Sequence, residues 1–398
     1  MSIGLSGCAA PGGFLEPVAA PAPGTSQVEM VVATTRQIAS SPAEMFSGQR
    51  SIAPSFADII VSIPPDGSRQ AGEVQWPQRI PGNPATEFVT LRAETIDKPA
   101  AVAAFDRLIA KSPKHRALVF VHGFNNRFED AVFRFAQLVH DSRTTAAPVL
   151  FTWPSKGSVL AYGYDRESAT YSRDTLEDLL RWLARNPRVN SVSILAHSMG
   201  NWVTLEALRQ MAIRDGKIPR KIDTVLLAAP DVDVDLAREQ IAAMGSRRPG
   251  FILFVSREDK ALALSQRLWG NTRLGAIDPE QEPFKSELQR ERIEVVDLTG
   301  VPSPDKFRHG TFAENPEVAG LIGRMVAEGQ TLGDSRVGLG ERFTLAATGA
   351  AATMGNAVGL ALTAPLAIVD PVTREHYSDH VEAFGKKVEH TVEEITPQ

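Results

Sequence analysis

Residues 189–211 read VNSVSILAHSMGNWVTLEALRQM. After Pro187 the first half is a short apolar run rich in β-branched residues, the pattern of a buried strand. The second half is helical. Val203, Ala207 and Met211 recur every four residues with Leu208 beside them, which makes one face that can lie on a sheet. Between the two halves stands Ala196-His197-Ser198-Met199-Gly200. A serine at a sharp strand-to-helix turn, with small residues two positions away on each side, is the pattern of a nucleophile elbow. Its Oγ would rise above the sheet edge, facing the free N–H groups and positive dipole end of the following helix. Ala196 stands where glycine is usual, and the competing reading is that Ser198 merely caps the helix.

Composition sets the outer bounds. With 398 residues, 43% hydrophobic and 22% charged, the chain is long enough for one large domain with extensions. A net charge of -5 without a basic block argues against nucleic acid or anionic lipid as the main partner. The single cysteine, Cys8, excludes intramolecular disulfides and a multi-cysteine metal site. No metal motif, phosphate loop or dinucleotide fingerprint is present, so no cofactor is called for.

Working outward from the elbow, the alternation of strands and helices is regular. A helix over 98–111 leads to strand Ala117 to Val121, and a second helix carries Phe128, Val132, Phe135 and Val139 on one face. Further strands are expected at Pro148 to Trp153, Thr224 to Ala229, Phe251 to Ser256 and Ile293 to Leu298, with helices between them. One of those helices starts near Asp165 and another covers Pro316 to Ala327. Such alternation predicts a mainly parallel sheet with helices on both faces and the working groups at the carboxyl ends of its strands. Upstream, VEMVVATTR, ADIIVSIP and EFVTLRAETI are strands joined by Pro- and Gly-rich links without a helix of length, so this part is expected to be antiparallel.

Chemistry-bearing residues fall at these strand ends. His122-Gly123-Phe124 follows Val121 upstream of the elbow; Gly123 permits a backbone bend that would offer the Phe124 N–H as an oxyanion donor, and a mere tight turn is the competing reading. Two acid clusters follow later strands: Asp231, Asp233 and Asp235 after Ala229, and Glu258-Asp259 after Ser256. Asp231 and Asp233 can equally belong to a solvated turn and a helix cap. Of eight histidines, His122 and His197 lie in the motifs above. His115 and His140 lie away from strand ends, and His376, His380 and His390 lie in the tail. His309, in a loop after the last strand, remains as the base.

Together these motifs resemble the α/β-hydrolase superfamily, more narrowly a bacterial esterase/lipase-like family of uncharacterised substrates. The resemblance runs from about Val28 to Gly329, and its carriers are Ala33-Thr34-Thr35-Arg36, Val121 to Asn125, Trp153-Pro154-Ser155, the elbow, and Ser256 to Leu262. It implies a triad in the order Ser198, Asp259, His309, with the N–H groups of Phe124 and Met199 as an oxyanion hole. Asp231 and Asp233 stay in reserve as the acid. A small-molecule acyl ester is the implied substrate, with thioesterase or acyltransferase chemistry open to the same triad. A hydrolase fold turned to non-catalytic binding or scaffolding is the alternative of a different class. The short link after Thr224 to Ala229 leaves no room for a large lid; a cover from Ser155 to Gly163 would suit small or soluble substrates.

The ends are expected to differ from this domain, taken as 28–330. Leu5-Ser6-Gly7-Cys8 resembles a bacterial lipobox, and an Ala-, Pro- and Gly-rich stretch follows it. Residues 1–27 are therefore expected to be a tether lipidated at Cys8, which would place the chain at the cell envelope; without lipidation it would be cytoplasmic. Residues 331–398 form an extension in which Phe343 to Val369 carries no charge, a second candidate membrane anchor.

Overall fold

The computed structural model describes residues 13–328. Cys8 and the 331–398 extension therefore lie outside the described residues. Nine strands form one sheet in the order β3-β2-β1-β5-β4-β6-β7-β8-β9. β1 (Ser26–Ile38), β2 (Phe46–Ile63) and β3 (Val89–Ile96) pair antiparallel at one edge. From β1 onward, β5 (Ala147–Thr152), β4 (Arg116–Val121), β6 (Ser191–His197), β7 (Ile222–Ala228), β8 (Gly250–Val255) and β9 (Glu294–Asp297) are parallel.

Burial on both faces explains the near-continuous apolar strands. On β4, Ala117, Val119 and Val121 enter one core layer while Leu118 and Phe120 enter the other, the two-residue period of a strand. The first layer is closed by α1 (Lys98–Lys111), α3 (Tyr162–Arg185), α4 (Gly200–Asp215) and α5 (Val234–Ala243). The second is closed by α2 (Phe128–Asp141) and α9 (Pro316–Glu328). Local signals set the helix ends. Asp97 caps α1 by accepting from the Ala100 N–H, and Gly216 ends α4 with φ 68°, a left-handed conformation that glycine adopts without strain. The remaining helices are α6 (Lys260–Trp269), α7 (Phe284–Arg290) and the single turn α8 (Thr311–Glu314).

Three details depart from the expectations. Packing starts upstream of Val28: Leu15 is fully buried in the second layer, its N–H bonds to Ala43 O, and the Val18 N–H bonds to Thr90 O. The expected tether is thus already seated on the sheet from this point. β2 begins eleven residues before Ala57, because its polar first half pairs with β1 across two register shifts rather than through burial. α3 begins at Tyr162 rather than near Asp165, and a 3-10 turn, Val159–Ala161, leads into it.

Candidate active site

Ser198 sits between β6 and α4 with φ 52°, a left-handed backbone rare for a residue with a Cβ. The turn is held on both sides. Its N–H donates to Ala228 O at 2.9 Å, and its carbonyl accepts from Asn201 Nδ2 at 2.9 Å and the Asp231 N–H at 3.3 Å. A Cβ on Gly200 would stand 2.5 Å from the carbonyl oxygens of both Val121 and His122, so helix and strand meet too closely for any side chain there. Ala196 is different. It lies in the sheet between Val121 and Leu227, and its methyl is fully buried in the first core layer, so alanine fits where the usual motif has glycine. Gly200→Ala is expected to cost about 3 kcal/mol or more, the upper range for overpacking against an unyielding neighbour. Chemical denaturation of the variant checks this; Ala196→Gly should cost only about 1 kcal/mol by comparison.

The loop after β4 faces the elbow. A Cβ on Gly123 would lie 2.8 Å from Ser198 Cβ, which explains the glycine. Among the described residues the N–H groups of Phe124 and Met199 have no hydrogen-bond partner. His122 builds this loop. Its Nδ1–H donates to Gly123 O at 2.8 Å, so Nε2 is an acceptor, taking the Trp153 N–H at 3.1 Å and Arg36 Nη2 at 3.4 Å. Burial and the neighbouring guanidinium lower its pKa to about 3, so His122 stays neutral and is not a base.

Arg36 is a participant whose part in the site the sequence left unmarked. It is fully buried near the end of β1 and donates to Asn126 O at 2.8 Å, Ser155 O at 3.0 Å and Ser47 O at 3.4 Å. Burial lowers its pKa to about 10 against the pull of nearby carboxylates, Asp165 foremost. Asp165 accepts from Ser155 Oγ at 2.5 Å and the Lys156 N–H at 3.0 Å. The loops after β4 and β5 are thus tied to one cation. Its advance signals are its place in the Ala33-Thr34-Thr35-Arg36 run that carries the resemblance and a charge near the end of an apolar strand.

The acid and the histidine meet. Asp259, 2% exposed at the end of β8, accepts from the Leu262 N–H at 2.9 Å through Oδ1 and from His309 Nδ1 at 2.7 Å through Oδ2. His309 is fixed further by Asp305 Oδ2, which takes its backbone N–H at 2.8 Å. Its carbonyl accepts from His197 Nε2 at 3.2 Å, and the two imidazoles lie 4.8 Å apart, which places His309 against the residue preceding Ser198. Burial pulls the His309 pKa down, but the Asp259 carboxylate outweighs it and holds the ring above its ordinary value. His197 has no such partner, and burial beside His309 pushes it well below.

The reserve acids are occupied elsewhere. Asp231 accepts from Tyr162 Oη at 2.9 Å and Ser265 Oγ at 2.7 Å and faces Arg273 Nε at 3.4 Å. Asp233 caps α5 and takes Asn271 Nδ2 at 2.7 Å. The short β7–α5 link holds no inserted lid. Instead Tyr162 packs edge-on against Phe124 at 5.1 Å and stacks on Trp269 at 5.2 Å, forming a wall beside the turn.

The parallel sheet with its antiparallel edge, the strand-to-helix serine turn and the helices on both faces define an α/β-hydrolase fold. The family model described as alpha/beta hydrolase of unknown function (DUF900) matches residues 97–325, more than half of the chain, and the chain belongs to that family. An uncharacterized protein from Nostoc sp. is 24% identical over 151 residues, 32% of this chain and 39% of that protein, so the match spans about two fifths of the relative's length. A lipase-esterase related protein from Clostridium acetobutylicum is similar in structure, with TM-score 0.31 and 11% identity over 52% of this chain and 93% of that one. A peroxisomal alpha-beta-hydrolase from Saccharomyces cerevisiae gives TM-score 0.33 and 8% identity, covering 77% and 88% of the two chains.

Proposed function

We propose that this protein is a serine hydrolase that cleaves carboxylic esters through an acyl-enzyme on Ser198. The observation that carries the reading is the 2.7 Å contact of His309 Nδ1 with Asp259, because it fixes the tautomer whose Nε2 is the free acceptor. Nε2 takes the Ser198 proton as Oγ bonds to the ester carbonyl carbon. The oxyanion is received by the N–H groups of Phe124 and Met199, each worth about 3 kcal/mol of barrier by comparison with a measured oxyanion donor. Collapse breaks the carbon–alkoxy bond, and the imidazolium returns its proton to the leaving alcohol. Water then repeats the sequence on the acyl-enzyme, with His309 again as base. Charge and position suit these roles: His122 is held neutral by burial and Arg36, while His309 has the Asp259 carboxylate behind its ring and lies against the residue preceding Ser198.

The test is labelling by a fluorophosphonate as a function of pH. The base must be neutral to work, and its pKa is held above the ordinary histidine value of 6.5. Labelling should therefore fall as pH drops, with a midpoint above 6.5. Absence of labelling at any pH would remove the serine-hydrolase reading.

A further inference from the structure

Several large apolar side chains left in water lie close together at the mouth of the candidate site, on α6 and the two segments beside it. α6 leaves directly from Asp259, its N-cap. Leu262 and Ser265 face the protein, whereas Lys260, Leu264, Arg267 and Leu268 fall at i, i+4, i+7 and i+8 on the outward face. Leu264 and Leu268 are 53% and 66% exposed. Trp269 is half-exposed where it stacks on Tyr162. Just upstream of Tyr162, Val159 and Leu160 are 69% and 95% exposed. Phe307, exposed in the histidine loop, sits at the start of α6 and accepts the Lys260 N–H at 2.9 Å through its carbonyl.

The charge around this rim runs against that of the whole chain. The net charge is -5, yet segments 156–164, 260–276 and 306–313 hold Lys156, Lys260, Arg267, Arg273, Lys306 and Arg308, while the carboxylates Asp165, Glu258, Asp259, Asp305 and Glu314 stand directly beside them. Arg273 is spent on Asp231 and Arg308 on Glu258. Among the described residues Lys260, Arg267 and Lys306 have no ion-pair partner.

We propose that this rim docks on an anionic lipid surface. It would present esters held at that surface to Ser198, a substrate class that rests on the function proposed above. An outward leucine stripe bordered by lysine and arginine is what an interfacial helix needs: apolar groups enter the acyl boundary while the cations meet lipid phosphates. A second copy of the chain is the poorer occupant. A two-fold contact over this patch would bring Lys260 and Arg267 of one copy towards the same cationic pair of the other, like charge on like. A small soluble ester, the substrate suited to a site without a lid, gives no reason for leucines that point away from the protein.

Co-sedimentation of the full, unlipidated chain with vesicles decides it. Vesicles of mixed phosphatidylglycerol and phosphatidylcholine should bind at least tenfold more tightly than phosphatidylcholine alone. Leu264→Ser with Leu268→Ser, and separately Lys260→Glu with Arg267→Glu, should each weaken that binding at least tenfold. Both variants should keep native circular dichroism and short-chain soluble esterase activity within about twofold. No binding by the unaltered chain would overturn the proposal. So would binding that neither double variant weakens, since the membrane contact would then lie elsewhere. A dimer lost in the variants, without vesicle binding, would make the rim a contact between copies and equally overturn it. Rim-dependent binding by a chain that fluorophosphonate does not label would uphold the docking and reject only the ester chemistry.

Discussion

Ser198→Ala is expected to abolish fluorophosphonate labelling and lower ester hydrolysis by about 10⁶-fold, the scale seen when a serine nucleophile is removed from a comparable triad. The variant should fold normally. What holds the turn is the Ser198 backbone, through its N–H to Ala228 and its carbonyl to Asn201 and Asp231, and an alanine keeps all of these. φ 52° is unfavourable for alanine as it is for serine, so the strain is nearly unchanged. Thermal unfolding should shift by no more than a few degrees, which separates loss of chemistry from loss of structure. Residual labelling of the alanine variant would place the nucleophile elsewhere.

How far the sequence announced this arrangement depends on what holds each part in place. β4, β6, β7 and β8 are legible because burial on both faces demands continuous apolar residues, and each site residue after them sits at a strand end that the alternation predicts. The first half of β2 was not legible. Its residues SGQRSIAPS are mostly polar and partly exposed, and only pairing with β1 makes them a strand. Leu15 was hidden for the opposite reason: one leucine in a Pro- and Gly-rich run has no period, and its burial depends on contacts with residues far along the chain. Arg36 shows the same limit within the site. An arginine near a strand end ordinarily reads as surface, and its burial beside His122, Asn126 and Ser155 exists only once the loops after β4 and β5 converge on it. The choice between acids was also tertiary. Asp231 and Asp259 both follow parallel strands, and what separates them is that Arg273, 42 residues beyond Asp231, folds back to hold it while His309 returns to Asp259.

That separation gives the second large effect. Asp259→Asn is expected to lower kcat by up to about 10⁴-fold with little change in KM, because the amide favours the imidazole tautomer with its proton on the wrong nitrogen. The substitution keeps shape, and an asparagine still caps α6 through its side-chain oxygen, so stability should change by about 1 kcal/mol or less. The pH dependence supplies an independent readout. With the carboxylate present, burial is overcome and the His309 pKa lies above its ordinary value; without it, burial acts unopposed by that charge. The acid limb of whatever activity remains should therefore move to lower pH, the direction opposite to that expected from adding a carboxylate. Asp233→Asn is the matched control: it alters a helix cap away from His309 and should change kcat by less than about tenfold. Asp231→Asn should leave kcat within a similar range but destabilise the fold by about 3 kcal/mol, since buried Arg273 would face a neutral amide. If Asp231→Asn instead removed activity and moved the acid limb while Asp259→Asn did neither, the carboxylate behind His309 would have been assigned to the wrong strand.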